Sequence, residues 1–267
     1  MKKSIIGICV IMLATVVAAP TQAQTQRVRV EVSSNAPTGG VAITPLWVGF
    51  HDGSFDVFDA GSTASAGLEE IAETGSAAGL AADFGMTAGG VGGSLGSPTG
   101  PPPIQPGETV SGIFDLDSTD NQFFSYAAMV LPSSDFFVAN GDPTSIDLAS
   151  IFGTSGSISF DIGTTVWDAG TEVNDFATAP GNPLFGIPEG DGAAGAAEGG
   201  LIAEVTGDPY SGFLNTPAGF DFGPLSFNDG ALYSGGIATV TITAVPEPGS
   251  FGVLAMGLGG LFLRRRR

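Results

Sequence analysis

No lysine or arginine stands between Arg29 and Arg264. Beyond the reach of Arg27 and Arg29, every carboxylate in that interval must be solvated, hydrogen-bonded, protonated or set against a bound cation, because no basic side chain in between can neutralise it. The stretch "TTVWDAGTEVND", Thr164 to Asp175, makes the constraint local. Asp168, Glu172 and Asp175 are crowded together there beside a tryptophan and a glycine. Any fold of this chain has to say what answers their charge.

The two ends read as processing segments. Lys2 and Lys3 precede an apolar run from Ile5 to Ala19, and Thr21 and Ala23 suit the small-residue cleavage positions of a secretory signal peptide over residues 1–23. The one cysteine, Cys9, lies inside that run behind Ile8, where a lipoprotein signal wants a small residue. The exported domain is therefore expected to hold neither a disulfide nor a thiol nucleophile. At the other end, Phe251 to Leu263 is apolar and is closed by Arg264 to Arg267. At about 1.5 Å per helical residue this run reaches about 20 Å, short of the roughly 30 Å hydrocarbon core of a bilayer. The arginines place its end on the cytoplasmic side. Pro246-Glu247-Pro248, an apolar segment and a basic cluster together resemble the PEP-CTERM sorting tail of Gram-negative bacteria, over residues 245–267. The resemblance implies export, transient inner-membrane contact through the tail, and removal by an exosortase-type enzyme, leaving the protein at the cell surface or outside the cell. The alternative is a plain tail anchor.

Residues 24–244 then form a single expected domain. Of the 27 acidic residues only Glu247 lies in the end segments, and of the 8 basic ones only Arg27 and Arg29 lie outside them. Two basic residues against twenty-six acidic ones give the domain a formal charge of −24. Such a surface repels nucleic-acid phosphates and anionic lipid, and it repels itself unless counter-ions bind.

Strand patterning dominates the interior. "RVRVEVS" puts Val28, Val30 and Val32 on one face, and "IATVTITAV" does the same with Ala238, Val240, Ile242 and Ala244. "ETVSGIFDL", "FFSYAAMVL", "SGSISFDI" and "TTVW" read as further strands between turn residues. "STASAGLEEIAETG" reads as a helix with Ala64, Leu68 and Ile71 on one face and Gly75 as its stop, and "SAAGLAADFG" as a short second one. Residues 85–107 and 177–200 read as Gly/Pro-rich loops. The expected fold is mainly β, an antiparallel β-sandwich with one or two short inserted helices.

Enzyme motifs fail on context. "GGSLG", Gly92 to Gly96, matches the nucleophile-elbow pattern around Ser94, but the only histidine, His51, lies upstream of it and the surroundings are glycine loop. No P-loop lysine exists, and one histidine without cysteine cannot make a zinc site. His51 is expected to be a hydrogen-bonded structural residue, Trp47 and Trp167 core anchors, and Phe50, Phe55 and Phe58 parts of a half-buried loop. An oxygen-only ligand supply suits calcium, which takes six to eight carboxylate, carbonyl and water oxygens. "DLDSTD", Asp115 to Asp120, fails as an EF-hand loop because Asp120 stands where the glycine belongs.

"AAMVLPSSDFFVAN", followed some thirty residues later by "VWDAGTEVND", resembles the spondin N-terminal domain, a family of secreted proteins that includes F-spondin and mindin. "ITPLWVGFHDGSFDVFDAG" and "ASAGLEEIAETGS" fit the same family in order, so the resemblance runs from about Val28 to Asp175, with a strand near Ile237 to Ala244 closing the sheet. Ser134 and Phe136 depart from the family's usual proline and tryptophan around Asp135. The resemblance implies a C2-like antiparallel sandwich, a bound structural calcium and an adhesive, non-catalytic role. Carried over by position, Asp135 and Asp168 are the leading calcium ligands. Val138, through its main-chain carbonyl, is a weaker one, Asp117 (or its neighbour Asp115) an upstream acidic one, and Glu172 and Asp175 are neighbours. The expected partner is extracellular matrix, a polysaccharide or a surface protein, with no nucleic acid. The competing function class is a hydrolase acting on extracellular polysaccharide.

Overall fold

The computed structural model describes residues 24–36, 41–97, 103–131, 133–174, 196–206 and 236–246. The leader, most of the 177–235 segment and the tail beyond Pro246 lie outside these residues. The strands are β1 (Thr25–Ser34), β2 (Ala42–Ile43), β3 (Leu46–His51), β4 (Val91–Leu95), β5 (Thr109–Asp117), β6 (Phe123–Leu131), β7 (Phe136–Ala139), β8 (Ser157–Ile162), β9 (Trp167–Asp168), β10 (Ala203–Glu204) and β11 (Ala238–Ala244). Two helices, α1 (Ala66–Thr74) and α2 (Ala78–Phe84), lie between β3 and β4. The strands make a four-stranded sheet in the order β5-β1-β11-β8 and a larger one in the order β10-β9-β7-β6-β3-β4, with β2 also paired to β6. All pairings are antiparallel.

The two sheets differ in how they meet water, and their sequences say so. The four-stranded sheet alternates: Val28, Val30, Val32, Val240 and Ile242 are fully buried, while Arg27, Arg29 and the threonines between the β11 apolar residues face outward. One face is core and the other solvent, as the period-2 pattern requires. β6 instead reads apolar almost throughout because its sheet is covered on both sides. Phe124, Ala128 and Val130 point into the inter-sheet core, whereas Ala127, with Trp47 of β3 and Phe137 of β7, points into a second cluster under the helices.

That second cluster is capped by α1. Ser65 accepts a hydrogen bond from Leu68 N at the N-cap, and Gly75 ends the helix in the left-handed conformation at φ 71°. A β-carbon at Gly75 would collide with the Thr44 side chain, so the stop is steric as well as conformational. The Glu70 carboxylate accepts from Ser76 Oγ at 2.6 Å and from Gly79 N at 2.8 Å, which ties the start of α2 back to α1. Leu68, Ile71, Leu80 and Phe84 are buried between the helices and the sheet, each contributing about 1.5–3 kcal/mol of transfer free energy.

Three local expectations change. The 85–107 loop contains β4, an edge strand paired with β3. Aromatic rings crowd its glycines: a β-carbon at Gly92 would stand 3.0 Å from the Phe84 ring and 3.1 Å from Val48 O, and one at Gly93 would stand 3.2 Å from the Phe114 ring. The strand expected in "TTVW" bends at Thr164 and Thr165, and only Trp167–Asp168 pair. The last strand does not close an edge, since β11 lies between β1 and β8.

Candidate functional site

Register brings the two leading carboxylates together. Phe136 of β7 pairs with Asp168 of β9, and Asp135, the residue before β7, accepts Ala169 N at its carbonyl, 3.2 Å away. Distant parts of the chain therefore place Asp135 and Asp168 side by side at one end of the larger sheet.

The local sequence then folds around Asp135. Ser133 Oγ donates to Val130 O at 2.6 Å and accepts Phe136 N at 3.0 Å, turning the chain so that the Asp135 side chain points inward. Asp135 is fully buried. Its Oδ2 accepts from Thr171 N at 2.8 Å, Glu172 N at 3.0 Å and Thr171 Oγ1 at 3.2 Å. Its Oδ1 accepts from Asn174 Nδ2 at 2.6 Å. Gly170, at φ 68°, makes the corner that aims these amides at Asp135. Asp168 is only partly covered: its Oδ1 accepts Gly170 N at 2.8 Å and its Oδ2 has Asn174 Nδ2 at a long 3.3 Å.

Asn174 lies between the two carboxylates. Its Oδ1 accepts Ser134 N at 2.8 Å, which fixes the amide and turns its NH2 toward both carboxylates. A neutral donor does not cancel two charges. Burial and then the neighbouring Asp135 charge push the Asp168 carboxyl up to about 6. Glu73, on the last turn of α1, is also raised, first by burial and then by Glu172, Glu69 and Asp135, while the Thr171 hydroxyl lies within its reach. Among the described residues the only arginines, Arg27 and Arg29, are on the four-stranded sheet beside Asp115, Ser111 and Glu31.

The other expected ligands stand differently. Glu172 is buried, supplies its backbone N–H to Asp135, and lies near enough to Glu73 to raise it. Val138 is three residues along β7, about 10 Å from Asp135 by strand rise, paired with Ala128 and packed in the inter-sheet core. Asp117 ends β5, ahead of the turn that leads into β6, and Asp135 follows β6's other end. At about 3.4 Å per residue, the nine residues of β6 put roughly 27 Å between them. Asp117 accepts Thr119 N at 2.7 Å in a local turn, and Asp115 is held by Arg27 at 2.7 Å. Neither can share an ion with Asp135. Asp175 lies outside the described residues.

The donor set fits a hard, oxygen-seeking cation and does not fit zinc. Asp168 is its principal carboxylate. Asp135 offers Oδ1 only, since three donors hold Oδ2. Among the described residues no three His, Cys, Asp or Glu side chains form a metal-holding group, so the remaining calcium ligands would be carbonyl, amide and water oxygens. The sequence reading missed Asn174 and Thr171, although both stand in the stretch that raised the question.

The nucleophile-elbow pattern gains no geometry. Ser94 lies on β4 opposite Trp47, while His51 is at the far end of β3. His51 Nδ1 accepts Gly53 N at 3.0 Å, so its proton is on Nε2, which donates to Ser125 Oγ at 2.9 Å and cannot take a proton from it. Trp47, Phe50 and Phe58 are buried, and Phe55 and Trp167 partly so.

The Spondin_N family matches residues 31–183, more than half of the chain. A PEP-CTERM protein-sorting motif matches residues 244–267 and indicates export, surface sorting in a Gram-negative bacterium and processing by an exosortase-type enzyme. No curated protein matches. Among the described residues no helix is long and apolar enough to cross a membrane.

Proposed function

The chain belongs to the Spondin_N family, and from that premise we propose that it is a calcium-stabilised, non-catalytic adhesion domain that binds extracellular matrix, polysaccharide or a surface protein. One observation carries the calcium reading: Asp135 and Asp168 converge from distant segments with only the Asn174 amide between them. A divalent ion removes their repulsion and pins the β6–β7 loop to the segment after β9. Extracellular modules bind calcium at roughly 0.1–1 mM, and at a hundredfold excess over Kd the ion would stabilise the fold by about 2.7 kcal/mol. The test is calorimetry of the purified domain with chelator and with millimolar calcium. The expected result is a melting temperature that falls on chelation and returns with calcium. A melting curve indifferent to both removes calcium from the reading.

A further inference from the structure

Both ends of the folded domain leave it at one pole. Val28 of β1 pairs with Ala244 of β11 and with Phe114 of β5, so the start of β1, the end of β11 and the end of β5 are neighbours. The four-stranded sheet holds the chain to residue 245: Val245 N donates to Arg27 O at 2.8 Å, and Gln26 Nε2 reaches Val245 O at 3.3 Å. The sorting motif begins at Ala244, inside β11 itself. No spacer separates the sheet from Pro246-Glu247-Pro248.

The tether is therefore short. Residues 246–250 precede the apolar run that starts at Phe251, and five extended residues span at most about 17 Å. The body they carry is longer, since β6 alone measures about 27 Å. Asp135 and Asp168 lie at the end of the sandwich where β6 finishes, the pole opposite to Thr25, Asp117 and Val245. A body of that length cannot turn over on so short a leash.

We propose that, while the tail is in the membrane, the domain stands on the bilayer by the pole where β1 begins and β11 ends, with the Asp135–Asp168 end turned outward. Charge does not hold this pole down, since Asp52, Asp117 and Asp120 stand there beside the Arg27–Asp115 pair; the short tether alone does. Cleavage beside Pro246 would remove nothing that β11 uses, so the released domain keeps its sheet. This rests on the sorting-tail match and is independent of the calcium reading, which is tested by melting in solution.

The test is fluorescence quenching on residues 24–267, the form left when the leader is removed and one with no cysteine of its own, reconstituted into vesicles of phosphatidylethanolamine and phosphatidylglycerol with a headgroup spin label. One fluorophore is placed at Thr119→Cys, exposed on the inner pole, and in a second protein at Ala197→Cys, exposed beside Glu172 on the outer pole. The expected result is quenching several-fold stronger at 119 than at 197. A Gly/Ser linker of about ten residues inserted between Val245 and Pro246, adding up to about 34 Å of reach, should bring the two signals together. Equal quenching without the linker, stronger quenching at 197, or failure of the chain to float with the vesicles would each overturn the proposal.

Discussion

The carboxylates of Asp135 and Asp168 share one neutral donor: Asn174 Nδ2 is 2.6 Å from Asp135 Oδ1 and 3.3 Å from Asp168 Oδ2. Asp135 has three further donors, and Asp168 has one. The two acids are thus unequal, and the strain of their encounter falls on Asp168.

Replacing Asp168 by Asn separates repulsion from ion binding. Without calcium, Asp168→Asn is expected to melt a few degrees above the wild type, because a half-buried like charge beside Asp135 is gone; about 1 kcal/mol moves a domain of this size by about 2–4 °C. With calcium the order should reverse, since the principal ligand is lost. Differential scanning calorimetry in both conditions reads the crossing. A variant that melts below the wild type without calcium would show that Asp168 is held by its amides rather than burdened by its neighbour.

The same acid sets a pH dependence of unusual sign. A carboxyl raised to about 6 in the fold from 3.8 when unfolded binds its proton more tightly in the native state. Its unfavourable contribution is absent below the unfolded value and fully present above about 6. Calcium-free domain should therefore gain stability from this group as pH falls from 7 toward 4, with Glu73 acting in the same direction. Asp168→Asn should flatten that part of the curve. Denaturant melts in chelator at stepped pH measure it.

Most of the fold was legible where one physical rule acted alone. β1 and β11 alternate because one face of their sheet meets water, and α1 carries its own cap and stop in Ser65 and Gly75. β4 was not legible: Val91-Gly92-Gly93-Ser94-Leu95 has loop composition, and only the rings packed against it, Phe84 at Gly92 and Phe114 at Gly93, explain the glycines. At the site, Asp135 and Asp168 were found by resemblance, while Asn174 was passed over because an amide carries no charge to attract notice. Asp117 came with the resemblance, although the strand legible in "FFSYAAMVL" already stood between it and Asp135.

His51 supplies a contrary pH effect at the other pole. Burial lowers its pKa below 6.5, outweighing the nearby Asp52 charge. A base with a depressed folded pKa contributes stability that is complete above its unfolded value of 6.5 and is lost as pH falls below it. Protonation would also put an N–H on Nδ1 against the Gly53 N–H that it now accepts. His51→Leu is expected to cost about 1–3 kcal/mol, chiefly from an orphaned Gly53 N–H, since the Ser125 hydroxyl keeps Asn140 Nδ2 at 3.2 Å. It should also remove the acid-side loss below pH 6.5, a change that urea melts at pH 5 and 7 would detect.

Gly170 tests whether the site depends on backbone shape. Its φ of 68° is left-handed, and a β-carbon there would stand 2.8 Å from Gly200 C and from Leu201 N, backbone atoms that cannot step aside. Gly61 has a comparable φ of 82° with nothing within 4 Å. Gly61→Ala should cost only the conformational penalty, about 1 kcal/mol. Gly170→Ala should cost on the order of 2 kcal/mol or more, about 4–8 °C of melting temperature. Because the corner aims Thr171 N and Glu172 N at Asp135, the Gly170 variant should also lose calcium response, while Gly61→Ala keeps it. Equal costs for the two alanines, with calcium response intact in both, would mean that the 170–172 corner is not what holds Asp135 in place.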